Sequence, residues 1–159
     1  ATSHLSEAIL DRFELVVLDY QDEAEETAIV QDRLKLQSGL GSHAELLPLA
    51  AVRLARYTRT NVRVKRGASV RAALSVAEIG AVLMQSGKHG FREAFLMAAL
   101  MALPTRIEIE REAESELSFR HEVESLITEW VKDILDNLSI QSDMSTQSQI
   151  ADRNLKKKT

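Results

Sequence analysis

Cysteine is absent from the 159 residues, and only two prolines, six glycines and one tryptophan occur. Without cysteine the chain has no disulfide staple and no thiolate metal site, which leads to the expectation of a cytoplasmic protein. The scarcity of proline and glycine removes the residues that tight turns and sheet-rich folds consume. No stretch approaches the ~18 to 20 consecutive apolar residues needed to span a bilayer. The first residues also lack the basic-then-apolar order of an export signal, so no membrane span is expected. A formal net charge of -4 argues against broad contact with nucleic acid. The basic end Lys156, Lys157, Lys158 reads as a solvated tail.

What is present is 45% hydrophobic residues, enough to bury a core in one domain. Long stretches of Ala, Leu, Glu and Arg predict a mainly α fold. Leu5, Ala8 and Ile9, with Ser6 as cap and Glu7 in the first turn, predict a short helix over 4–13. Phe13 to Asp19 is a short apolar run of the kind a buried parallel strand shows. A single strand cannot pair with itself, so it is expected to join a sheet supplied by sequence that precedes it.

Acidic Asp22, Glu23, Glu25 and Glu26, followed by Arg33 and Lys35, match the dipole of a helix running to about Leu36, before a loop at 38–42. A second helix is predicted over Leu46 to Thr58, with Arg53, Arg56 and Arg59 on or near its polar side. Asn61 to Gly67 reads as a basic connector. A third helix should start at Ser69 as N-cap and stop at Ser86-Gly87. Its alanines and Gly80 permit close approach, which places it centrally.

The fourth helix, about Phe91 to Leu103, is apolar on most sides and therefore buried, with Pro104 marking its end. After an acidic, solvated link, Val123, Leu126, Ile127, Trp130, Val131, Ile134 and Leu138 recur at three and four and predict a long helix over 119–138. Trp130 reads as a core or interface anchor. From Ser139 onward the composition is polar and a flexible tail is expected. The expected organisation is 1–20 as a remnant of an α/β core, 21–138 as a helical bundle of four to five helices, and 139–159 as the tail.

Four scattered histidines lack metal-ligand spacing, so no metal site is expected. No serine nucleophile elbow and no Gly-x-Gly-x-x-Gly cradle occurs. Gly-x-x-x-x-Gly-Lys-[Ser/Thr] is missing too, so the chain alone is expected not to hydrolyse a nucleotide. Two arginines are placed unusually. Arg12 stands between the first helix and the apolar run, and Arg71 stands in the first turn of a helix opened by Gly67-Ala68-Ser69. Taken singly, each reads as a surface salt-bridge arginine.

Together these segments resemble a known family. Leu-Ser-Glu-Ala-x-Leu-Asp-Arg-Phe at 5–13, the apolar run, the acidic helix ending Ala28-Ile29-Val30, and Gly-Ala-Ser-x-Arg-Ala at 67–72 resemble the second half of a MoxR-type AAA+ ATPase, a relative of magnesium chelatase ATPase subunits. Ala102-Leu103-Pro104-Thr105-Arg106-Ile107 is similar to the end of that family's lid, and the resemblance extends over roughly residues 1–136. It implies that Arg12 is an arginine finger reaching a neighbouring subunit's site. It also implies that Arg71, with Ser69 beside it, is the lid residue that senses nucleotide within its own subunit. A planar, always-charged fork suits the charge spread over phosphoryl oxygens.

Val70 departs from the family's usual proline, which weakens the preorganisation of that helix start. The same resemblance implies ATP and Mg²⁺ held by a preceding AAA+ core, a homo-oligomeric ring, and a client protein that is remodelled or receives a metal. The competing expectation is a free-standing helical adaptor, in which the 119–138 helix offers its apolar stripe to a partner and the arginines are not catalytic.

Overall fold

The computed structural model describes Arg12, Glu14 and residues 16–34, 45–110 and 118–156, with side chains in the last helix described as far as Leu138. The mainly α reading holds: the described residues form five helices and one two-stranded antiparallel sheet. These are α1 (Glu23–Leu34), α2 (Leu46–Thr60), β1 (Val64–Arg66), α3 (Val70–Gln85), α4 (Phe91–Ala102), β2 (Glu108–Ile109) and α5 (Phe119–Lys156). The helix expected over 4–13 and the loop expected at 38–42 lie outside the described residues, apart from Arg12 in a turn.

α1 begins with a reciprocal cap. The Glu25 amide donates to Asp22 Oδ1 at 2.8 Å, and the Asp22 amide to Glu25 Oε2 at 3.3 Å. Two orphan donors of the first turn are satisfied in this way. Glu26, Val30 and Leu34 fall four apart and form the buried face. α2 buries a broad face that includes Leu47, Val52 and Leu54. Its Pro48 lies in the first turn, where the missing amide leaves no helical bond unmade.

α3 is central, packing against α2, α4 and α1. Ala72, Ala73, Val76, Ala77, Gly80 and Ala81 make its buried face. A Cβ on Gly80 would lie 3.2 Å from Leu47 Cδ1 and 3.7 Å from Ala98 Cβ, so the small residue sets the spacing of three helices. The helix ends at Gly87, whose φ of +70° is the left-handed conformation that glycine adopts at little cost.

α4 buries Ala94, Phe95, Ala98, Ala99 and Ala102. It is not buried all round, however, since Met101 is 64% exposed. α5 crosses α2 and α4 and buries Val123, Ile127, Trp130, Val131, Ile134, Leu135 and Leu138. Trp130 meets Tyr57 of α2 with ring centroids 6.0 Å apart. It is the core anchor expected of it.

Three sequence expectations are corrected. Glu14 and Val16 to Tyr20 form no strand, and Val16, Val17 and Leu18 are 73%, 77% and 85% exposed. An apolar run needs a neighbouring strand to become one, and none of the described residues supplies it. The pairing that does form lies in the basic connector, where β1 meets β2 with Val64 opposite Ile109 and Arg66 opposite Glu108. Two and three residues are too few for a periodic signal. The third correction is that the α5 backbone continues to Lys156, past the helix end expected at Leu138. No helix among the described residues is long and apolar enough to cross a membrane.

Candidate functional site

The turn that leads into α3 is held by two successive residues of α2. Thr58 is fully buried, and its hydroxyl donates to Ala55 O at 2.6 Å. The same oxygen accepts the Ala68 amide at 2.8 Å. Arg59 then donates from Nε to the Ala68 carbonyl at 2.7 Å. Both polar backbone groups of fully buried Ala68 are thereby satisfied, as a buried peptide requires.

Gly67 makes the approach possible. A Cβ there would stand 2.7 Å from Arg59 Cα and 2.8 Å from Arg59 Cγ, closer than a real Cβ comes to a non-bonded carbon. Gly67→Ala is therefore expected to push the turn off α2, strain the Arg59–Ala68 bond and lower stability by about 1–3 kcal/mol. A urea-melt midpoint equal to that of the parent chain would contradict this packing.

Ser69 sits at the N-cap position with φ -85° and ψ 171°, as expected, and its carbonyl accepts from the Ala72 and Ala73 amides at 2.9 and 3.3 Å. Its hydroxyl makes no capping bond, so the position is right and the expected bond is not formed. The first turn of α3 carries no acidic side chain of its own to offset the helix's positive end. Val70 packs partly buried against the core.

Arg71 is exposed on that first turn and makes no hydrogen bond or ion pair with any described residue. The surface salt-bridge reading thus finds no partner for it here. Arg12 is likewise exposed in its turn, and no described contact joins it to Arg71.

The rest of the site was not foreseen from the sequence. Glu26 of α1, only 1% exposed, accepts Arg59 Nη1 at 2.8 and 3.1 Å through both oxygens, and Arg56 Nη1 at 3.2 Å. Arg56 Nη1 also donates to Gln21 O at 2.9 Å, and Arg53 Nε donates to Glu23 Oε1 at 3.0 Å. The Arg59 guanidinium lies 3.9 Å from the centroid of the Tyr20 ring. The arginines at 53, 56 and 59 recur every third residue on one face of α2, and Glu23 and Glu26 do the same on α1. That matched spacing was the available signal; reading the arginines only as the polar side of α2 missed it.

A groove of about 590 Å³ lies beside this ladder, lined by Glu23, Arg53, Arg56, Tyr57, Thr60, Ile134 and Asn137. Its two arginines are already bound to carboxylates, so it offers an incoming anion no uncommitted charge. Among the described residues no group of three or more His, Asp or Glu side chains could hold a metal ion. Compared with known proteins, the chain matches no family model, no curated sequence and no solved structure.

Proposed function

We propose that this chain is the helical lid, with the end of the preceding core, of a MoxR-type AAA+ ATPase. The observation that carries the reading is the construction of the Gly67–Arg71 segment. Glycine permits contact with α2, the buried Ala68 peptide is bonded on both sides, and Arg71 is left exposed and unpaired among the described residues at an acid-free helix start. That is the arrangement a phosphate-sensing arginine requires: a fixed base, a free fork and a helix end that favours negative charge.

The mechanism assigned to these residues is electrostatic. ATP and Mg²⁺ would be held by the preceding core. Arg71 would set its guanidinium on phosphoryl oxygens of nucleotide in the same subunit. Arg12 would do so from the neighbouring subunit of a homo-oligomeric ring, where its fixed positive charge lowers the barrier to phosphoryl transfer. Closure of the lid would then report nucleotide state to the ring, which acts on a client protein in the cytoplasm. Nucleic acid has no part in this reading.

The test is Arg71→Ala in the ATPase that carries this chain. Turnover per ATP encountered, kcat/KM, is expected to fall by about 10²- to 10³-fold, the usual loss for one donor aimed at developing charge. Arg71→Lys should recover part of it. Unchanged kcat/KM in Arg71→Ala would overturn the assignment. The adaptor alternative relied on an apolar stripe of α5 open to a partner. That stripe, from Val123 to Leu138, is buried against the rest of the bundle.

A further inference from the structure

We propose that Arg59 is a positioning residue that ties the Tyr20–Asp22 segment to the turn at Gly67–Ser69, so that displacement of the first is transmitted to the base of α3. The turn before α3, α1 and the segment that precedes α1 meet on this one side chain. Its Nε holds the Ala68 carbonyl at 2.7 Å. Its Nη1 holds Glu26 of α1. Its charged plane lies under the ring of Tyr20, 3.9 Å from the centroid. Nη2 is buried and has no hydrogen-bond acceptor among the described residues, and the negative face of the ring compensates that part of the charge.

Tyr20 itself is 60% exposed, so covering the core does not explain its position. Its neighbours are fastened to the same two helices. The Gln21 carbonyl accepts from Arg56, and Asp22 forms the reciprocal cap of α1. Just before them, Val16 to Leu18 are exposed. Among the described residues, a pull on the N-terminal side reaches the helical bundle through this segment, where it meets the guanidinium that holds Ala68.

Glycine at 67 brings the turn into direct contact with the Arg59 backbone as well, so the turn and the arginine move as one body. Only the consequence for Arg71, three residues beyond Ala68, rests on the nucleotide reading. The coupling stands on this geometry alone.

The experiment is amide hydrogen exchange on the full 159-residue chain, following the Ala68 amide, which is bonded to Thr58 Oγ1. The Leu103 amide, bonded to Ala99 O on another helix, serves as reference. Tyr20→Leu removes the π face while keeping an apolar side chain. It is expected to speed exchange at Ala68 by about three- to fivefold, the loss of an exposed cation–π contact, and to leave Leu103 unchanged. Tyr20→Phe retains the face and should match the parent chain.

Arg59→Lys keeps one charge for Glu26, but its single ammonium cannot also reach Ala68 as the fork does. It should give at least the same local acceleration. Unchanged Ala68 exchange in Tyr20→Leu, equal acceleration at Leu103, or acceleration in Tyr20→Phe would each overturn the coupling. None of these readouts involves ATP turnover, so failure of the nucleotide reading registers separately, in the Arg71→Ala kinetics.

Discussion

Under the proposed AAA+ reading, Arg12→Ala in the parent ATPase is expected to lower ATP turnover by about 10³- to 10⁵-fold, the scale of an arginine that completes a phosphoryl-transfer site from outside. The side chain is exposed and makes no hydrogen bond or ion pair with a described residue, so its removal leaves no unpaired partner among the described residues. Loss of turnover with an unchanged melting curve would therefore report on chemistry and not on folding. A mixing experiment separates the finger from a residue acting within its own subunit. Arg12→Ala subunits keep Arg71, and Arg71→Ala subunits keep Arg12, so a mixed ring contains some interfaces with both arginines intact. Turnover should reappear on mixing; two variants that stay inactive together would contradict action across a boundary.

Glu26→Ala is expected to cost about 3–5 kcal/mol, because it strands buried positive charge while removing the acceptor. The two arginines respond differently. Arg56 is 36% exposed and can turn its guanidinium toward water, whereas Arg59 is 10% exposed and pinned by Ala68 and Tyr20. Arg59 therefore bears most of the penalty. A loss of that size is a large share of the ~5–15 kcal/mol that holds an ordinary domain together. The unfolding midpoint in urea should drop far below that of the parent chain, and Glu26→Gln, which keeps an oxygen acceptor, should fall between the two. A change under about 1 kcal/mol in Glu26→Ala would mean the cluster is worth no more than a surface pair.

The helices were legible because each carries its own signal. α1 is marked by acids at the start and Arg33 at the end, α3 by Ser69 and Gly87, α4 by Pro104, and α5 by its three-and-four spacing. Central placement of α3 was legible in its alanines and Gly80, since small residues are what let helices approach. Where the reading failed, the missing information lay in another part of the chain. Val16 to Leu18 have the composition of a strand, and no described strand beside them makes one of it. β1 and β2 have almost no composition signal and pair because the connector and the segment after α4 are brought together. Glu110 adds to that pairing through its amide, which donates to Arg63 O at 2.7 Å.

The candidate site divides in the same way. Arg71 could be singled out because one short segment, Gly67 to Ala72, holds the glycine, the small residue and the arginine. Arg59 could not, because its role depends on Glu26 and Tyr20, more than thirty residues earlier in the chain. Neither amphipathic period nor charge run reveals such a meeting. Only the repeated threefold spacing of acids on α1 and arginines on α2 hinted that two charged faces were made for each other.

The most direct test of the nucleotide reading is the coding sequence immediately upstream of Ala1. If this chain is an AAA+ lid, the frame continues into a Gly-x-x-x-x-Gly-Lys-[Ser/Thr] loop followed by a strand ending in acidic residues. An in-frame stop or a start site there, with no phosphate-binding loop before it, would contradict the ATPase assignment and leave Arg12 and Arg71 without a nucleotide to serve.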